Sequence, residues 1–190
     1  MEIDDRDAPT ALLLGDVTPR TEALARALGE SGHGLIVAAD DEAIGRRLVE
    51  SIRAGGTRAE FVYCEPGSAS DLELMVAVTI EAFGRIDLAI VVSDDDGDLG
   101  RLVAAVAPLM REQREGGVIS VTPARDAPGE QTVRMLAQAL AGDRVRVNAV
   151  TIVPSCSPLP AEVASVVLWL AGREARSITG STVTIGLTGN

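Results

Sequence analysis

The feature that most constrains this chain is an alternation along its whole length. Short apolar runs take turns with longer segments whose apolar residues recur every three or four positions. The runs are TALLLG at 10–15, GLIVAAD at 34–40, AEFVYC at 59–64, IDLAIVVS at 86–93, GGVISVT at 116–122, VRVNAVTIV at 145–153 and STVTIGL at 181–187. Each has the length and composition of a strand covered on both faces. Helical spacing predicts helices over 22–29, 41–54, 71–83, 99–114, 130–141 and 161–171. Pro108 lies inside the fourth, where a kink or early stop is expected.

Strands that alternate with helices build a mostly parallel sheet with helices on both faces. Right-handed crossovers then give a three-layer, doubly wound, Rossmann-type α/β domain of about seven strands. A length of 190 residues accommodates one such domain, over 10–190, with residues 1–9 expected as a flexible arm. No repeat or linker interrupts it. Acids outnumber bases 28 to 17, for a net charge of -11, so nucleic acid and anionic membranes are poor partners. Aromatics are only 2% of residues, too few for a base-stacking platform. Two cysteines do not make a disulfide scaffold. No apolar run reaches the ~18 residues of a membrane span, and the acidic start MEIDDRD is unlike a signal peptide. The expected location is the cytoplasm.

In a doubly wound sheet, ligands bind beyond the carboxyl ends of the strands. Those positions hold Asp16, Asp40, Asp41, Glu65, Asp94 to Asp96, and Asp126, opposed only by Arg20 and Arg125. A pyrophosphate would enter against that field. The run Asp94-Asp95-Asp96-Gly97-Asp98 lacks the spacing and terminal Glu of a calcium loop, and reads as a solvated loop that caps the next helix. No metal is expected. The single histidine, His33, precedes the second strand and reads as a surface turn. Cys156 lies between serines near the cleft but has no base within reach, so it is not expected to be a nucleophile. Asp126 and Glu130, four apart, read as a charged helix start.

Several blocks resemble the short-chain dehydrogenase/reductase family: EAFGRIDLAIVV, RVRVNAV and PAEVASVVLWLAGREARSITGSTVTI above all. The resemblance spans about 10–187. It implies a dinucleotide site with a glycine-rich turn after the first strand. Gly15 survives of that turn, but the two later glycine positions hold Pro19 and Thr21. Residual cofactor candidates under the resemblance are Gly15, Arg20, Asp40 (at the ribose acid position) and Glu65 (near the adenine position). The family's Asn-Asn-Ala-Gly after the fourth strand is replaced by Val91-Val92-Ser93-Asp94. Its catalytic serine falls at Pro123 or Ala124, and its Tyr and Lys fall near Asp126 and Glu130. The sole tyrosine is Tyr63, in the third strand, and all 17 basic residues are arginines. A Tyr-Lys couple therefore cannot form. Three stretches that carry the family's active-site helices and lid are shortened.

These features imply a non-catalytic member of the family, a pseudoenzyme serving as an assembly subunit without NAD(P)-dependent redox activity. No cofactor is expected, beyond weak NAD(P) binding. Its partner would be itself or an intact dehydrogenase of the family, through the fourth and fifth helices or the final helix and strand. Leu102, Val103, Val106, Leu109 and Met110, and Val163, Val166, Val167 and Leu170, supply apolar faces there. The alternative is a repurposed enzyme with non-redox chemistry on a small metabolite (a cyclase, isomerase or dehydratase). It would use Asp94, Asp95 or Asp126 as acid or base.

Overall fold

A computed structural model describes residues 8–123, 128–153 and 158–186. Seven strands form one sheet: β1 (Thr10–Gly15), β2 (Gly34–Ala39), β3 (Ala59–Tyr63), β4 (Leu88–Val92), β5 (Gly116–Pro123), β6 (Val145–Ile152) and β7 (Thr182–Ile185). They lie in the order β3-β2-β1-β4-β5-β6-β7, and every pairing is parallel. Six helices connect them: α1 (Pro19–Glu30), α2 (Glu42–Ala54), α3 (Ala69–Phe83), α4 (Asp96–Gln113), α5 (Pro128–Leu140) and α6 (Pro160–Ala171). The strand order reverses between β1 and β4, which opens the crevice characteristic of doubly wound sheets.

The sheet is buried on both sides because its central strands are predominantly apolar; β1, β2 and β4 are buried along their full length. One core lies under α3, α4 and α5, the other under α1, α2 and α6. Burial of a single Leu, Ile or Val side chain contributes roughly 1.5–3 kcal/mol, and these two layers hold most of those in the chain. Leu102, Val103, Val106 and Met110, and equally Val163, Val167 and Leu170, are spent on these cores. Most of the apolar residues of these two faces thus pack on the sheet, and the excess left half-buried is Leu109 and Val166.

The family-like blocks prove to be scaffold. Gly84 ends α3 in a left-handed conformation at φ 81°. Arg85 then pairs with Asp87, whose other oxygen accepts the Thr10 N–H at 2.8 Å. In the RVNAV block, the buried Asn148 amide donates to Ile178 O at 3.0 Å and accepts from Ser181 N at 3.1 Å, which fixes the approach to β7. Arg146 donates to Leu170 O at 2.6 Å and Ala171 O at 3.1 Å, capping α6 with a cation at its negative end.

Two expectations are corrected. α4 does not stop at Pro108 but runs to Gln113. Pro108 and Ala104, four residues back, both face solvent, so the carbonyl that loses its partner lies on the side of the helix open to water. The acidic run is not all loop, since α4 begins at Asp96; the cap expected of it is present, with Asp95 accepting from Gly97 N at 2.8 Å.

Candidate functional site

The turn after β1 leads straight into α1. Gly15 has φ 136°, and a Cβ there would collide with the carbonyl oxygen of Val92, its register partner on β4. Packing of β1 against β4 therefore requires this glycine, with or without a ligand. Thr18 caps α1 and accepts the Thr21 N–H at 3.3 Å. Thr21 is fully buried; its hydroxyl donates to Asp16 O at 2.5 Å and lies 3.2 Å from the Thr18 hydroxyl. Thr18 is then the donor in that hydroxyl pair. The side chain expected to intrude between helix and strand is accommodated by this closed ring of hydrogen bonds. Pro19, at the first helical position, has no N–H to offer. The first-turn donor not taken up by Thr18 is that of Arg20, which is half-buried. A pyrophosphate needs several aligned N–H groups and close backbone approach. The residues present do not fit it.

At the adenosine side, Asp40 is exposed and Asp41 caps α2 by accepting Ile44 N at 2.9 Å. Glu65 is not free: it accepts the Tyr63 hydroxyl at 2.9 Å. That bond, with slight desolvation and the charges of Glu65, Asp71 and Asp40, raises the Tyr63 pKa above its ordinary value. Next to it, burial and the same acids, Asp71 and Glu65, push the Cys64 thiol up to about 12. Cys64 is thereby kept as the thiol and not the nucleophilic thiolate near pH 7.

Beyond β4 the structure reveals a cluster that the sequence reading missed. Asp98 is 5% exposed, accepts the Ser93 hydroxyl at 2.5 Å, and lies 3.3 Å from Arg101. Arg101 also pairs with Asp95 at 2.9 Å. Asp98 is thus a buried, satisfied carboxylate and not a solvated one. The available signal was the Asp98–Arg101 spacing of three within one helix start. Arg101 joins Arg20 as a counter-cation at this edge; Arg125 lies outside the described residues.

The ends of β4, β5 and β6 and the start of α5 surround a cavity of about 20 Å³ lined by Val91, Ser93, Asp95, Ser120, Thr132 and Thr151, among others, so that one of the candidate acids, Asp95, lies on its wall. That is room for about a water molecule. Glu130 stands exposed in the first turn of α5 and does not line it. Ala124, Asp126 and Cys156 lie outside the described residues. His33 sits at the opposite edge of the sheet. It is half-buried with Nδ1 2.8 Å from Ser31 Oγ, and burial lowers its pKa despite the opposing pull of the Leu28 backbone and Asp87.

Solved structures superpose on the whole of this architecture. A 7α-hydroxysteroid dehydrogenase complexed with NADH and 7-oxo glycochenodeoxycholic acid aligns with a TM-score of 0.88, at 18% identity over 100% of this chain and 98% of its own. The chain has the short-chain dehydrogenase/reductase fold. The actinorhodin polyketide ketoreductase with NADPH gives a TM-score of 0.86 at 20% identity, covering 95% of this chain and 96% of that one. A hydroxysteroid dehydrogenase from Escherichia coli gives 0.87 at 17% identity, covering 98% of each. No family model and no curated protein matches the sequence. No helix among the described residues is long and apolar enough to cross a membrane.

Proposed function

We propose that this chain is a non-catalytic protein of the dehydrogenase fold, a subunit whose role is assembly with itself or with an intact dehydrogenase. The observation that carries this reading is the β1–α1 turn, where Thr18, Pro19 and Thr21 fill and cap the place a pyrophosphate would need. The side-chain inventory supports it. No lysine exists in the chain, and its one tyrosine is bonded to Glu65 beyond β3, an edge strand. The cleft supports it too. A metabolite site ordinarily offers about 300–1,000 Å³, against about 20 Å³ at the ends of β4, β5 and β6; a hollow of about 420 Å³ lies instead open on the outer side of α5, lined by Glu130, Gln131, Arg134, Met135 and Gln138. The repurposed-enzyme alternative needs a desolvated carboxylate facing a pocket. Of the acids named for it, Asp95 lines the cavity but is exposed, caps α4 and pairs with Arg101; the buried acid, Asp98, is tied to Ser93 and Arg101.

The test is calorimetric titration with NADH and NADPH. We expect no heat of binding at millimolar nucleotide. Micromolar binding would mean the turn still cradles a pyrophosphate, and would overturn this reading.

A further inference from the structure

Ser120 departs from the pattern of the core around it. It is 4% exposed, and its hydroxyl enters no hydrogen bond among the described residues. A buried hydroxyl without a partner is uncommon and unfavourable. Thr10, at the amino end of β1, is a second case, but its hydroxyl is sealed among packed atoms. Ser120 instead borders the small cavity at the carboxyl ends of the strands.

The register explains where that space comes from. Val91, Ser120, Ala149 and Thr182 are successive partners across β4, β5, β6 and β7, and all four line the cavity. They share one face of the sheet, about 4.8 Å from strand to strand. Ala149 has the shortest side chain of the row, which leaves a gap between Ser120 and Thr182. Two residues on, the next row shows what fuller side chains do. There Thr151 and Thr184 are partners, and their hydroxyls bond each other at 3.0 Å. Ser120 has a methyl group as its neighbour and no such bond within reach. Thr132, from α5, stands over the same gap. The volume of about 20 Å³ exceeds the roughly 10–15 Å³ that one water needs.

We propose that Ser120 binds one ordered water molecule in this gap, bridged to Thr182 across Ala149. The inference goes beyond the assembling role and does not depend on it. Water suits this wall better than an ion or an apolar guest. An anion would meet Asp95, and an apolar guest would leave Ser120 unpaired. Hydroxyls both donate and accept, so a water on Ser120 completes the two to four bonds it needs with Thr182 and Thr132. It ties β5 to β7, two strands that share no ladder, and both of them to α5.

A crystal structure at atomic resolution tests this. Density for a water is expected about 2.7–2.8 Å from Ser120 Oγ, within bonding distance of Thr182 or Thr132. Ser120→Ala is expected to lose it. Ala149→Ser is expected to displace it, with the new hydroxyl bonding Ser120 as Thr151 bonds Thr184 one row on. Thr10→Val, which removes the sealed hydroxyl, is expected to leave the water in place. A gap without density, a water held away from Ser120, or one that persists in Ser120→Ala would overturn the inference. So would its loss in Thr10→Val. If Ser120→Ala does not fold, Ala149→Ser still decides, because a water retained beside the new hydroxyl counts against the proposal.

Discussion

Asp98 shows how a residue that looks solvated becomes structural. Its carboxylate is buried at the start of α4, with Ser93 and Arg101 as partners. Truncation to alanine strands the Ser93 hydroxyl and leaves Arg101 with Asp95 alone. Removal of such a partner costs about 1–3 kcal/mol, so urea denaturation of Asp98→Ala should show an unfolding free energy lower by about that amount, with a lower midpoint. His33 makes a pH prediction at the same scale. Its folded pKa lies below the ordinary 6.5, chiefly because it is partly buried. The unfolded chain then binds the proton more readily, so His33 contributes stability in full above pH 6.5. That contribution is lost as pH falls from 6.5 through the lowered folded value. His33→Gln should flatten this segment of the stability–pH curve, measured by denaturant titration at pH 5 to 8. A slope unchanged by the substitution would show that other groups produce it.

At the scale of elements, the sequence was most readable where burial dictates residue type. All seven strands and six helices were legible, because apolar runs and helical spacing are consequences of a sheet covered on both faces. What the sequence could not show is direction. Of the apolar positions of α4 and α6, spacing alone does not say which pack on the sheet; the structure puts Leu102, Val106, Val163 and Val167 in the cores and leaves Leu109 and Val166 half-buried. The helix ends were equally opaque. Pro19 and Thr21 read as damage to a glycine-rich turn, whereas the structure makes them a first-turn proline and a capped threonine. Arg146 is the clearest gain, a lone basic residue in a strand that proves to hold the end of the following helix. Burial lowers the pKa of this guanidinium, only partly offset by Glu115. Replacement by methionine keeps the stem and loses the bonds to Leu170 and Ala171. Hydrogen bonds to charged groups contribute ~1.5–3 kcal/mol, so Arg146→Met should destabilise by about that much. Arg146→Lys should recover only part, since an ammonium cannot span both carbonyls as the planar fork does. Amide exchange at the end of α6 and in β7 would locate the loss.

Across the whole molecule, charge is sorted by sheet edge. The carboxyl ends of the strands carry exposed Asp16, Asp40, Asp41, Glu65, Asp94 and Asp95, while the amino ends of β3 to β6 follow Arg58, Arg85, Arg114 and Arg144. The arginine edge is held by specific contacts, such as Arg85 with Asp87 and Arg58 with the Ala82 carbonyl and the Phe83 ring. At the acidic edge the one ion-pairing cation is Arg101, among the described residues. This arrangement is unfavourable for a bound anion and mildly unfavourable for the fold itself. Exposed like charges cost below about 1 kcal/mol each and are screened within roughly 10 Å at 0.1 M salt. Stability should therefore rise as sodium chloride goes from 10 mM to 0.5 M, the opposite of a fold held by surface ion pairs. The double variant Asp40→Asn, Asp94→Asn should melt higher than the parent at low salt and show a smaller salt response. Neither residue caps a helix or forms an ion pair in the structure, so the gain can be assigned to relieved repulsion. A melting temperature that falls with salt would instead mean that the Arg101 and Arg85 pairs outweigh the acidic edge.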